Sequence, residues 1–145
     1  MPTLDRQHRK ANGNASHSRR GAVAVEVALT LPLLLLFVFG AIEFSRLNML
    51  RHTAENASYE GARRGALPGA SKQEVQQAAS DVLDLLNVQK YTVSVSPNNI
   101  THSTKDVTVT VTIPVANNAW IAPMFASGMV ITKEITLARE RSTGT

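Results

Sequence analysis

Between Ala22 and Ile42 the chain carries 21 residues, and Glu26 is the only charged one. As an α-helix this run spans about 32 Å, enough to cross a bilayer hydrocarbon core of roughly 30 Å. Residues 33–39, four leucines followed by Phe37, Val38 and Phe39, present apolar groups on every side of such a helix. A soluble fold would have to bury all those sides at once. A chain of 145 residues has too little core to wrap one helix completely. The run therefore predicts a membrane span, and the alternative is a central helix buried in a soluble core.

Charge placement predicts the direction of that span. Residues 1–21 hold five cations (Arg6, Arg9, Lys10, Arg19 and Arg20) and one acid, Asp5. The rest of the chain holds ten of each sign, so the net charge of +4 lies entirely before the apolar run. Flanking Lys and Arg hold their side of a span in the cytoplasm. The expected topology is single-pass, with the N-terminus cytoplasmic and the C-terminal part extracytoplasmic. Nucleic-acid binding would need a basic face on the folded part, and the balanced downstream charge supplies none. The absence of cysteine excludes disulfides and thiolate chemistry. Residues 1–20, polar and without periodicity, read as a disordered basic leader.

Beyond Ile42 the helical pattern continues to about residue 65. Leu47, Leu50, Ala54, Ala57 and Gly61 recur three and four apart and mark one face. Ala57, Gly61 and Gly65 form a small-xxx-small series that lets another backbone come close. That backbone belongs either to a neighbouring subunit or to the chain's own second helix and sheet. Gly65, Pro68 and Gly69 end the helix. Ser71 followed by Glu74 is a capping-box pattern that opens a second helix, expected to end near Asn87. Its apolar stripe is Val75, Ala78 and Ala79, Val82, and Leu85 and Leu86.

Three strand patterns follow. Tyr91, Val93 and Val95 alternate with polar residues, and Pro97, Asn98 and Asn99 begin a turn. Val107, Val109, Val111, Ile113 and Val115 alternate strictly, mostly with threonine. Ile131, Ile135 and Leu137 repeat less cleanly because Lys133 falls on their face, which an edge strand accommodates. The expected fold class is α+β. A long N-terminal transmembrane and amphipathic helix is followed by a second helix packed on a small three-stranded antiparallel sheet. The boundaries are a leader at 1–21, the helix at 22–65 with its span at 22–42, and an extracytoplasmic domain at 66–145. The apolar stretch 117–128, with Trp120 and Phe125, reads either as a partner-binding patch or as a flap over the sheet end. Arg139, Glu140 and Arg141 read as solvated charge.

A secretory signal peptide would be cut at a small-x-small site after its apolar region. The best such site, Val38-Phe39-Gly40, is weak, and helical pattern continues through it. A different arrangement stands before the run: basic residues, then Gly21, four apolar residues and Glu26. Cleavage after Gly21 would make Ala22 the first residue and Glu26 the fifth. Glu26 also has a rationale of its own, since a carboxylate within an apolar span is costly and tends to be functional. The Arg20-Gly21-Ala22-Val23-Ala24-Val25-Glu26 segment resembles the type IV pilin-like leaders cut by a prepilin peptidase. With Leu31-Pro32-Leu33-Leu34-Leu35-Leu36, Gly40-Ala41-Ile42-Glu43-Phe44-Ser45-Arg46 and Ala57-Ser58-Tyr59-Glu60-Gly61-Ala62-Arg63, it resembles the TadE/TadG-like pseudopilins of the tight-adherence (Flp) pilus. Val27 stands where that family more often has Phe or Tyr.

The resemblance implies a minor pilin or pseudopilin of the bacterial inner membrane, cut between Gly21 and Ala22. Its implied partners are the prepilin peptidase, other pilin subunits and the inner-membrane Tad assembly platform. It implies that Glu26 neutralises the terminal amine of a neighbouring subunit. Leu47, Leu50, Ala54, Ala57 and Gly61 are then the candidates for lateral helix packing. No cofactor, metal or catalytic residue is implied. An uncleaved, signal-anchored binding module acting through Trp120 and Phe125 is the alternative. For an enzyme the sequence offers little: His52 and His102 lack metal-ligand spacing. Ser45 and Ser58 lie in no nucleophile elbow. No strand precedes the glycines at 61, 65 and 69.

Overall fold

A computed structural model describes residues 14–119 and 128–140. In chain order the elements are α1 (Asn14–Ala66), α2 (Lys72–Leu85), β1 (Thr92–Ser96), β2 (Asp106–Pro114), a 3-10 turn (Val115–Asn117) and β3 (Val130–Ala138). The architecture is the expected α+β layout of a long apolar helix, a second helix and a three-stranded antiparallel sheet. The chain forms two compact units, Met1–Ala41 and Ile42–Thr145.

The first unit contributes the N-terminal part of α1. Its side chains from Arg20 onward are exposed, the apolar ones included. The helix runs through Pro32, which has no N–H to offer the carbonyl of Ala28. One turn earlier the Thr30 hydroxyl donates to the Glu26 carbonyl at 2.8 Å, which satisfies it locally. Helix also covers residues 14–20, which the composition reads as disordered. Adding residues to a formed helix avoids the cost of nucleation, so a poor helix sequence is carried along.

The second unit is built on the sheet, in the order β1-β2-β3. Val109 of β2 faces Val95 of β1 and Ile135 of β3, and Thr110 faces Ser94 and Glu134. The period-two pattern thus sorts the strands into two faces. Val107, Val109, Val111 and Ile113 are fully buried on the inner face. The outer face carries hydroxyls, with the Thr108 and Thr136 side chains 2.8 Å apart and Thr110 donating to Glu134 at 3.1 Å. Lys133 sits on the inner face of the edge strand, half-buried, with Nζ 3.3 Å from the Glu55 carboxylate of α1.

Two helices cover the inner face. Ser71 caps α2 with the full reciprocal box: its hydroxyl accepts from Glu74 N, and its own N–H donates to the Glu74 carboxylate. Val75, Ala79 and Leu83 are the buried residues of α2. The expected stripe is corrected at its end. Leu85 is 84 % exposed and Leu86 45 %, whereas Leu83 is fully buried. The helix stops at Leu85 and Asn87 turns into a left-handed conformation, so the stripe ends one turn early. Leu50, Ala54, Ala57 and Ala62 of α1 complete the core.

Small residues decide how closely α1 approaches. A Cβ on Gly61 would stand 3.1 Å from Ala79 Cβ and 3.2 Å from Val109 Cγ1. One on Gly65 would stand 2.7 Å from Val107 Cγ1. Here the small-xxx-small series seats α1 on the chain's own α2 and sheet.

Candidate functional site

The first candidate region is the leader junction. Gly21 and Ala22 lie in helical backbone, and Glu26 follows Ala22 by four residues, one turn on along the same helical face. Gly21, Ala22 and Glu26 are all exposed, and a Cβ on Gly21 would meet nothing within 4 Å. The apolar surface around this junction is equally open, with Val23 57 % and Val25 60 % exposed.

The five helix-packing candidates lie within the second unit. Leu50, Ala54, Ala57 and Gly61 are buried there, and Leu47 is half-buried against the same core. They face α2 and the sheet of their own chain. Trp120 and Phe125 lie outside the described residues. His52 and His102 are both exposed, and no cluster of metal-ligating side chains occurs among the described residues.

Two polar clasps hold this unit together, and neither has a local sequence pattern. The first centres on Asn118, which is buried just after the 3-10 turn. Its Oδ1 accepts from Gln89 N at 2.8 Å, and its Nδ2 donates to Gln89 O at 2.8 Å and Pro114 O at 3.0 Å. The side-chain amide therefore pairs with the Gln89 backbone much as a strand neighbour would. The Asn118 carbonyl in turn accepts from Arg46 Nε of α1. One residue thus ties α1, the α2–β1 connection and the end of β2.

Arg139 makes the second clasp, which corrects its reading as solvated charge. Its guanidinium donates to the carbonyls of Gly65 and Leu67, each at 3.1 Å, and to that of Thr101. The last carbonyls of a helix have no partner within it and carry partial negative charge. A planar fork of N–H donors meets both needs. The backbone joins in, with Arg139 N donating to Lys105 O and Glu140 N to Ala66 O. Near the other end of β1, the Tyr91 hydroxyl donates to Asp84 at 2.7 Å. Burial raises the Tyr91 pKa above its ordinary 10.0, and the bond to Asp84 adds to the rise.

The described part of α1 from Arg20 to Ala66 is long and apolar enough to cross a membrane, and none of its most apolar window is buried. These features define a membrane-anchored α+β protein. Residues 21–63 match the family model of TadE-like proteins, a structural, pilus-related family. The match takes in Gly21, Ala22, Glu26, the apolar run and most of the remaining helix, and it is consistent with a TadE-like pseudopilin of the Tad pilus. No curated protein and no solved structure gives a match.

Proposed function

We infer that this chain is a minor pilin or pseudopilin subunit of a Tad-type pilus or secretion apparatus. It inserts in the bacterial inner membrane with its N-terminus inside, and a prepilin peptidase cuts it between Gly21 and Ala22. The new α-amino group of Ala22 and the Glu26 carboxylate then carry opposite charges one turn apart. In a low-dielectric setting each seeks a partner on an adjacent helix, and this pairing sets the axial stagger of the subunits. Other pilin subunits and the inner-membrane Tad assembly platform are the partners. The observation that supports this reading is the match to the TadE-like family model over residues 21–63, a stretch that includes Gly21, Ala22 and Glu26.

Sequencing the N-terminus of the protein from the membrane fraction tests the processing step. Ala22 is expected as the first residue, and an intact Met1 in cells that contain the peptidase overturns it. Glu26→Ala is expected to insert normally yet be lost from the assembled apparatus. Undiminished recruitment of that variant would remove the role given to Glu26.

A further inference from the structure

Most of the large exposed apolar side chains of the second unit gather at one end; among the described residues Tyr59, further along α1, and Leu67 lie away from it. Phe44, Met49, Leu85, Leu86, Met129 and Val130 are each at least 43 % exposed. Hydrogen bonds bring the segments that carry them to the same level. Asn118 bonds Arg46 of α1 through its carbonyl and the Gln89 backbone, just beyond Leu86, through its side chain. Val115 N donates to Met129 O at 2.9 Å, and Val130 pairs with Pro114. The opposite end, held by Arg139, is different. Asn98, Asn99, Thr101, His102 and Lys105 are among its exposed residues, and Leu67 is the large hydrophobic exposed there among the described residues.

Ile42 closes the apolar run and opens this unit, so by connectivity the apolar end is the one nearest the bilayer. We propose that this end of the folded unit, with Leu85 and Leu86 on one side and Met129 and Val130 on the other, rests on the surface of the membrane that α1 crosses. Phe44 stands about 3 Å of helix rise beyond Ile42 and Leu50 about 12 Å. The headgroup layer is roughly 5–8 Å deep on each side. The lipid surface thereby continues past Ile42 onto Phe44 and the side chains around it. Arg51 and Lys90, exposed at this end, can lay their stems on the apolar surface and reach headgroup phosphates. This inference rests on the membrane span and not on pilus assembly.

The chain has no cysteine, so single labels report cleanly. Leu36→Cys, Leu85→Cys, His102→Cys and Met129→Cys each change an exposed side chain. Each full-length variant carries an environment-sensitive fluorophore and is reconstituted at one copy per phosphatidylcholine–phosphatidylglycerol nanodisc, with a fraction of the lipid bearing a quencher near the headgroup. Label 36 reports insertion. Quenching at 85, at 129 or at both is expected to exceed that at 102 several-fold. If 36 is quenched while 85 and 129 match 102, the docking is overturned and the span stands. If 36 is unquenched, both fail. Shielding of 85 and 129 from an aqueous quencher that appears only with several copies per disc, without lipid quenching, assigns the patch to subunit contact and overturns the proposal.

Discussion

Gly65→Ala adds one methyl group at the tightest point between α1 and the sheet. The new Cβ would lie 2.7 Å from Val107 Cγ1, 3.2 Å from Val107 Cβ and 3.2 Å from Val75 Cγ2. Carbon atoms rest about 3.5–4.0 Å apart, so the closest contact is short by roughly 1 Å. Val107 cannot swing aside, because it is fully buried and β-branched, with a stiff χ1. The helix must move instead. Overpacking of this kind costs about 1–3 kcal/mol. Alanine recovers part of that through helix propensity, at most ~1 kcal/mol and less at the penultimate residue of α1. The expected net loss is about 1–2 kcal/mol.

Urea titration of the full-length protein in detergent micelles, followed by circular dichroism, reads this loss as a lower midpoint at unchanged slope. Val107→Ala in the same background should relieve the clash, so the double variant loses less than the sum of the single ones. Gly40→Ala, where a Cβ meets nothing within 4 Å, should leave the midpoint unmoved. A Gly65→Ala protein as stable as the parent, or more stable, would refute the packing argument.

Asn118→Ala strands the Gln89 N–H and carbonyl that its side chain serves, at a cost of about 1–3 kcal/mol in urea titration. Asn118→Asp should be worse than alanine, because its second oxygen would face the Gln89 and Pro114 carbonyls; equal midpoints would argue against the paired amide. Arg139→Lys should lose most of what Arg139→Ala loses, about 1–2 kcal/mol, since one ammonium cannot serve three separate carbonyls. A lysine variant as stable as the parent would make the clasp a matter of charge alone. Tyr91 holds its proton more tightly in the folded protein, so its contribution is complete below pH 10.0 and fades as pH rises through the higher folded value. Tyr91→Phe should therefore flatten the fall in urea midpoint above pH 10.0, and an unchanged fall would remove Tyr91 as its cause.

Several features were readable because they are periodic and local. The apolar run needs only length and composition to predict a span. Strict alternation from Val107 to Ile113 states both strand and buried face, and the structure buries all four alternate residues. Ser71 and Glu74 announced a helix start, and the capping box is made in full. Even the Lys133 anomaly pointed to an edge strand, and β3 is at the edge, with Lys133 paired to Glu55. The last buried position of α2 is not legible in the sequence, because Leu85 and Leu86 fit the helical period as well as Leu83 does. Where the helix stops decides which of them is covered.

Sequence alone determined the apolar helix, the capped start of the second helix and the two-faced strands. Each is a pattern within a few turns or residues of chain, set by backbone periodicity. Only the tertiary structure decided which backbone the small residues of α1 meet, and that Asn118 and Arg139 are structural clasps. Those bonds join residues 72 and 74 positions apart, Arg46 to Asn118 and Gly65 to Arg139. Partners so distant meet only once the sheet has brought both ends together, and no local pattern records the meeting.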